Sequence, residues 1–399
     1  MTATSLPVIR LKPKANARPL RFGAPWVYAD DIVTDRRTKA LTPGSFAHLE
    51  DANRSYLATV TVNPLSKIYA RVMSRDADEA IDEAWLEARI AAALSHREKL
   101  FDAPFYRLIH AEADGFPGVI VDRFGDTLVL QPNAAWADAM AQALAASLVK
   151  MTGCQTVLKN AGGRTRELEG LDDVDAVLIG NAPEAPIAVP MNGATYMADL
   201  TGGQKTGLFF DQRPNQAFVQ RISKDADVLD MFSHVGGFSL AALAAGATSA
   251  LAVDGSAPAL ELAEGGAREM DVSARFSTRK GDAFKMLAEL QSEGAQFDVV
   301  ICDPPAFAPT KTALDRGLRA YDRVARLASL LVRPGGYIVL CSCSHAADLD
   351  AFRAACTRGI GKAGRAGQLV YTGFAGADHP QLPSLAESGY LKALAYRLT

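Results

Sequence analysis

No stretch of this chain approaches the roughly 18 to 20 consecutive apolar residues that a membrane-spanning helix needs. The first residues, MTATSLPVIRLKPK, contain no apolar core of signal-peptide length. A cytoplasmic protein without a membrane partner is therefore expected. Cysteine is scarce. The five present (Cys154, Cys302, Cys341, Cys343, Cys356) are odd in number and form no spaced framework, which argues against a secreted disulfide scaffold and for reduced thiols. Structural zinc prefers Cys pairs with a matching second pair, which Cys341 and Cys343 with only His345 nearby do not supply, and a redox pair is more typically C-x-x-C. No metal is expected. No G-x-G-x-x-G nicotinamide fingerprint stands between a strand and the start of a helix, and the P-loop G-x-x-x-x-G-K-[ST] is missing, which counts against a dehydrogenase and an ATPase. Internal repeats and low-complexity tracts are absent as well.

What is present is a chain of 399 residues, longer than one hydrophobic core usually serves, so two or three domains are expected. Its charge is uneven. Residues 1–75 hold 12 Lys or Arg against 5 Asp or Glu, a net of +7, so the remainder carries −10 of the total of −3. A basic module on an acidic body of enzyme size suggests a polyanionic partner.

Short β-branched or aromatic runs (SFAHL, YLATVTV, KIYARVM) separated by turn signals predict a small β-barrel or sandwich over residues 1–75. An amphipathic helix over 81–100 starts a second unit, 76–182. There, FYRLIHAEADGFPGVIVDRFGDTLVLQ reads as two strands hinged on Gly and Pro turns, followed by one helix (WADAMAQALAASLVKM) and the strands QTVLKN and AVLIGN: a small central α+β domain. The Pro-rich NAPEAPIAVP closes it. In the third unit, 183–399, IAVPMNGATYMADL and GLFFDQR read as strands joined by the polar turn TGGQKT. From 226 onward strands alternate with helices, which indicates a parallel, doubly wound α/β sheet, closed by a late hairpin of QLVYTGFA and YLKALAYRL.

Ligands of such sheets sit outside the carboxyl ends of the strands, and the informative residues here end strands. Asp230 ends the first before FSHVGGF, where Gly236 and Gly237 let the backbone approach a ligand at a helix start. Asp254 ends the second, 24 residues on, near the roughly 20 expected of an acid that binds ribose hydroxyls. Ser256 and Pro258 make a helix start, and Asp282, after the third strand, could receive an adenine amino group. An adenosine-containing ligand without a pyrophosphate needs fewer glycines, and S-adenosylmethionine fits that description. Each acid singly could instead be a helix cap.

ICDPPAF (301–307) ends the fourth strand. Asp303 would project at its tip, Pro304 and Pro305 stiffen the loop and expose carbonyls, and Phe307 offers a stacking face; together they can hold a nucleobase by edge and face. The motif also suits exocyclic amino methylation and does not choose between nitrogen and carbon chemistry. LCSCSH, at the end of the fifth strand, supplies what carbon chemistry needs. Pyrimidine C5 is too weak a nucleophile unaided, but a thiolate added to C6 turns the ring into an enamine-like species, and an acid at N3 stabilises the developing charge. Side chains alternate along a strand, so Cys341 shares the face of Cys343 one step deeper, as a packing residue or helper, and Cys302 points away into the core. A free thiol is only a few per cent ionised at pH 7, so the site must lower its pKa; His345 and the following helix start could contribute. The proton-removing base is left open among His345, Asp303 and water.

With these residues in order, the chain resembles the bacterial 23S ribosomal RNA (cytosine-5) methyltransferase I family. The likeness runs end to end: APWVY (24–28), YRLIHAEADGFPGVIVDRFG (106–125), QKTGLFFDQR (204–213), FSHVGGF (232–238), the strand-ending Val253 and Asp254, CDPPAF (302–307), SCS (342–344) and GYLKALAYRL (389–398). The resemblance implies a multidomain fold: an N-terminal PUA-like β-barrel for RNA docking, the central α+β domain and a C-terminal Rossmann-like class I S-adenosylmethionine-dependent methyltransferase domain. It implies Cys343 as nucleophile, Asp303 as the base-binding acid, Phe232, Asp254 and Asp282 around the cofactor, and Asp211, Gln212 and Arg213 close to it, with Arg213 a candidate for its methionine carboxylate. DQR is equally consistent with a capped helix start. The implied partner is large-subunit ribosomal RNA, and a homodimer is a further expectation. Four positions depart from the family pattern: Ala306 stands where Lys is usual, His234 and Val235 where Tyr-Thr is frequent, and His345 where Gly is usual.

Overall fold

Residues 6–202 and 207–399 are described by the computed structural model. The chain divides into one unit of Met1–Ala182 with Pro380–Ser388 and a second of Pro183–His379 with Gly389–Thr399.

The first unit holds two five-stranded sheets. One is built from Val8–Arg10, Trp26–Tyr28, Phe46–Glu50, Tyr56–Val62 and Ile68–Ser74 around Ile9, Leu49, Val60 and Ala70. The other runs from Phe105–His110 to Ala176–Ile179, and the helix Glu83–Leu100 contributes Trp85 and Ile90 to its core. Buried charge joins the two. Arg71 donates to Glu112 at 3.0 Å and to Glu169 at 2.9 Å, and Asn63 and Ser66 also donate to the Glu169 carboxylate, so none of these charges is left unpaired in the interior.

In the second unit seven strands form one sheet: β1 (Asp227–Met231), β2 (Ser249–Asp254), β3 (Phe276–Lys280), β4 (Phe297–Cys302), β5 (Val332–Ser342), β6 (Gly367–Gly373) and β7 (Lys392–Leu398), in the order β3-β2-β1-β4-β5-β7-β6. The first five are mutually parallel, and β7 runs antiparallel between β5 and β6. The doubly wound sheet and its late hairpin are thus present. Five helices follow their strands: α1 (Gly237–Ala244), α2 (Ala257–Glu269), α3 (Ala283–Ser292), α4 (Leu314–Ser329) and α5 (Leu349–Lys362). Parallel register pairs Met231 with Val253 and Cys302, and Cys302 with Leu340, so the carboxyl ends of β2, β1, β4 and β5 come level at one edge.

Several local expectations are corrected. IAVPMNGATYMADL is a hairpin of Ile187–Met191 and Ala194–Ala198, because Asn192 and Gly193 both take positive φ (53° and 72°), as a two-residue turn between twisted strands requires. GLFFDQR is not a strand. Phe210–Gln212 is a single 3-10 turn leading into the helix Arg213–Ile222, whose Pro214 suits a first turn that has no use for its missing N–H. Residues 203–206 of the turn TGGQKT lie outside the described residues. The central sheet gains a strand: Val119–Phe124 and Thr127–Pro132 pair across a two-residue Gly-Asp turn in which Gly125 has φ of 63°. The expected helix of that unit is two, Ala135–Ala139 and Ala141–Thr152, separated where Met140 leaves helical geometry.

Candidate active site

The aligned strand ends bring most of the singled-out residues to one edge. After β1 the chain turns sharply. Phe232, His234 and Gly236 all have positive φ (61°, 50° and 79°), and the loop curls before α1 begins. The Asp254 carboxylate fixes it, accepting from the His234 amide at 2.9 Å through one oxygen and from the Ser256 amide at 2.8 Å through the other. Each oxygen keeps a lone pair, so the half-buried carboxylate can still accept hydroxyl donors. Asp282, exposed, caps α3 through the Lys285 amide at 3.0 Å. Beside the loop lies a cavity of about 630 Å³ lined by His234, Ser256, Pro258, Met197 and Asp199. It falls in the size range of cofactor pockets.

Asp230 is not at the open surface. It is fully buried beneath the loop, where one oxygen accepts from both the amide (2.9 Å) and the hydroxyl (3.0 Å) of Ser239, tying β1 to α1. Burial pushes its carboxyl up to about 7 despite the Ser239 bonds, and the Asp254 charge adds to the rise. The folded value lies above the unfolded one of about 3.9, so between those values the native state holds a proton that the unfolded chain releases, and stability falls as pH rises from about 4 to about 7. Asp230→Asn, which keeps the acceptor, is expected to flatten that slope in urea unfolding followed from pH 4 to pH 8 and to be the more stable protein at the alkaline end. An unchanged slope would contradict it.

The donor set fits S-adenosylmethionine. Asp254 presents acceptors for a diol. The second Asp230 oxygen and the Ser233 hydroxyl are buried under the loop with no hydrogen-bond partner among the described residues, so polar atoms face a place where a polar ligand or water would satisfy them. Arg213 heads its helix largely buried, which lowers its pKa, while the Asp378 carboxylate opposes that effect. Its neighbours are fixed in place: Tyr390 donates to Asp211 at 2.6 Å, and Asn215 donates to Gln212 at 2.6 Å.

Beyond β4, Asp303 is half-buried and accepts from Gln212 Nε2 at 2.9 Å, while its amide donates to the Met231 carbonyl at 3.2 Å. Pro304 is buried, and Pro305 and Ala306 are exposed. The ring of Phe307 is turned into an aromatic cluster, with centroids 5.0 Å from Tyr321, 6.2 Å from Phe284 and 6.3 Å from Phe232. It anchors the loop more than it offers an open stacking face. Cys343 lies directly past β5 with its Sγ 3.9 Å from the Pro304 carbonyl. Of the five cysteines, it alone is not buried. Burial raises the thiols of Cys302 and Cys341 far above the ordinary value, and the Asp303 charge adds to both, so neither is poised to ionise. His345 is exposed.

Sequence reasoning missed the residues that hold Cys343. Ser342 donates to the Tyr321 hydroxyl at 2.8 Å, that hydroxyl and the Ser344 hydroxyl are 2.8 Å apart, and Ser344 Oγ accepts from the Ala308 amide at 2.9 Å. This buried chain ties the two sides of the cysteine to the loop after Asp303. Lys392, also buried, donates to the Ser344 and Ala347 carbonyls. The available signal was a lysine at the head of the mostly apolar strand β7.

Two family models match the chain: an S-adenosylmethionine-dependent methyltransferase over residues 138–397 and a PUA-like domain over residues 9–75. Among curated proteins, "Ribosomal RNA large subunit methyltransferase I" of Cronobacter sakazakii is 33% identical over 387 residues, covering 96% of this chain and 97% of that one. The protein of the same name from Vibrio parahaemolyticus is 34% identical over 393 residues, covering 96% and 98%. Among solved structures, a Streptococcus mutans protein described as a SAM-dependent methyltransferase superposes with a TM-score of 0.83 at 18% identity, covering 98% of this chain and all of that one. A structure of a methyltransferase complexed with SAH gives the same score and identity over 99% of this chain and 100% of that one. At these identities the structures show the fold alone. Among the described residues no helix is long and apolar enough to cross a membrane.

Proposed function

The chain belongs to the S-adenosylmethionine-dependent methyltransferase family that includes the proteins named ribosomal RNA large subunit methyltransferase I, and on that premise we propose that it forms 5-methylcytidine in large-subunit (23S) ribosomal RNA. The observation that carries this reading is a single accessible thiol, Cys343, whose Sγ lies 3.9 Å from the carbonyl of Pro304, the residue after Asp303 on the neighbouring strand end. Bound S-adenosylmethionine supplies an electrophilic methyl group; the protein's task is to make C5 of cytosine able to take it.

In the proposed reaction the Cys343 thiolate adds to C6 while the carboxylic acid of Asp303 gives its proton to N3, relieving the negative charge that addition places on the ring; the proton returns to Asp303 when the thiolate is expelled. Once C5 carries the methyl group, its proton leaves to a base and the thiolate is expelled. Gln212 orients the Asp303 carboxylate, and Pro304 and Pro305 hold the edge of the base. Asp254, Phe232, Gly236 and Asp282 surround the adenosyl group, with Arg213 toward the methionine carboxylate, while Asp230 shapes the loop from beneath. We assign docking to residues 1–75, a connecting role to 76–182 and the chemistry to 183–399. The net charge of +7 on the first of these supports RNA docking.

Labelled S-adenosylmethionine and undermethylated ribosomal RNA, incubated with the protein and digested to nucleosides, test the reading. 5-Methylcytidine that disappears with Cys343→Ala is expected; an N-methylated nucleoside that survives the substitution would replace it with amino methylation at Asp303 and Pro304. Asp254→Ala is expected to raise the dissociation constant of S-adenosylmethionine about ten- to a hundredfold, the worth of one hydrogen bond to a charged group, as read by titration calorimetry.

A further inference from the structure

Lys392 opens β7, directly across the antiparallel ladder from Ser342, and is 4% exposed. Its Nζ donates to the Ser344 carbonyl at 2.8 Å and the Ala347 carbonyl at 2.7 Å, clamping the turn that follows Cys343. Two carbonyl oxygens contribute only partial negative charge, and a buried ammonium is poorly tolerated without a counter-charge. The acidic groups acting on it are the Cys343 thiol and the Asp348 carboxylate at the start of α5. Tyr321 from α4 also interacts with the cysteine, His345 stands two residues after it in the same turn, and Asp303 precedes Pro304, whose carbonyl the sulfur approaches. Burial draws the Lys392 ammonium down to about 8, and the negative charge of an ionised Cys343 opposes that fall. The coupling is reciprocal: whatever the thiolate does for the ammonium, the ammonium does for the thiolate.

We propose that Lys392 is a positioning residue for Cys343, pinning its turn through two carbonyls and holding the sulfur as the thiolate that adds to the base. The inference rests on the reading of Cys343 as nucleophile. It also gives a reason for a lysine in this strand, where a leucine or methionine would fill the volume but bind neither carbonyl.

The test is the pH dependence of Cys343 alkylation by iodoacetamide in the full-length protein, from about pH 5.5 to about pH 9.5, quantified by peptide mass spectrometry. The other four cysteines are buried. In the wild type the midpoint is expected below the free-thiol value of about 8.5. Lys392→Met is expected to raise it by about one unit or more while the plateau rate at high pH changes less than about twofold, and Lys392→Gln, which keeps a donor but removes the charge, to raise it equally. A purely structural lysine would change the plateau rate and leave the midpoint in place. A wild-type midpoint at or above about 8.5, or folded variants with the wild-type midpoint, overturns the proposal. The wild-type midpoint can overturn the proposal even if both variants fail to fold. Alkylation needs neither RNA nor methyl transfer, so a wrong nucleophile appears in the nucleoside analysis and a wrong role for Lys392 appears here.

Discussion

Cys343→Ala is expected to lower methyl transfer by on the order of 10⁴-fold or more, in line with the loss of other enzymatic nucleophiles, while leaving the affinity for S-adenosylmethionine within about twofold. The sulfur sits beside Pro304, on what we propose as the base side of the strand ends, whereas the loop that Asp254 holds belongs to the proposed cofactor side. Its partial exposure means that removing it opens no core cavity, so the unfolding midpoint should hardly move. Cys341→Ala provides the contrast. That thiol is 1% exposed, so its replacement should cost stability through a small cavity and keep transfer within about tenfold of wild type. Single-turnover rates and thermal melts of the two variants, measured side by side, check the division; an inactive Cys341→Ala with an active Cys343→Ala would reverse it.

The second large effect belongs to Asp303. Asp303→Asn is expected to reduce the single-turnover rate about 10²- to 10⁴-fold, the usual worth of a positioned acid or base. The amide has the size to occupy the same place, and Gln212 can still bond to its oxygen. It cannot, however, deliver a proton to N3, so the negative charge created when the thiolate adds to C6 goes unrelieved. Binding of RNA through the basic first domain should change little. The split between a fallen rate and an unchanged RNA dissociation constant distinguishes this role from a structural one, and a variant that loses binding but keeps its single-turnover rate would contradict it.

The alternation of strands and helices after residue 226 made the sheet legible, because buried parallel strands and amphipathic crossovers leave strong periodic signals. Strand ends, marked by Asp254, Asp282 and Asp303, were equally plain. Short elements were not. The Asn192-Gly193 hairpin lay inside one apolar run, and the phenylalanines of GLFFDQR suggested a strand although Pro214 starts a helix four residues later. Within the site, residue type and spacing do not reveal direction. Asp230 reads like an exposed strand-end acid yet is enclosed beneath its loop, and Phe307 reads like a stacking face yet spends its ring on Tyr321 and Phe284. The support of Cys343 comes from α4 and β7, far away in sequence, and only the β5–β7 register brings Lys392 opposite Ser342.

The central claim is that Cys343 bonds to C6 of a cytosine, and RNA carrying 5-fluorocytidine tests it most directly. Fluorine at C5 cannot be removed as a proton, so after addition and methyl transfer the thiolate cannot be expelled. Denaturing electrophoresis with labelled S-adenosylmethionine should show a protein–RNA complex that retains the methyl label, and peptide mass spectrometry should place the nucleotide on Cys343. Release of methylated RNA without any trapped complex, or a complex that forms undiminished with Cys343→Ala, would contradict the account.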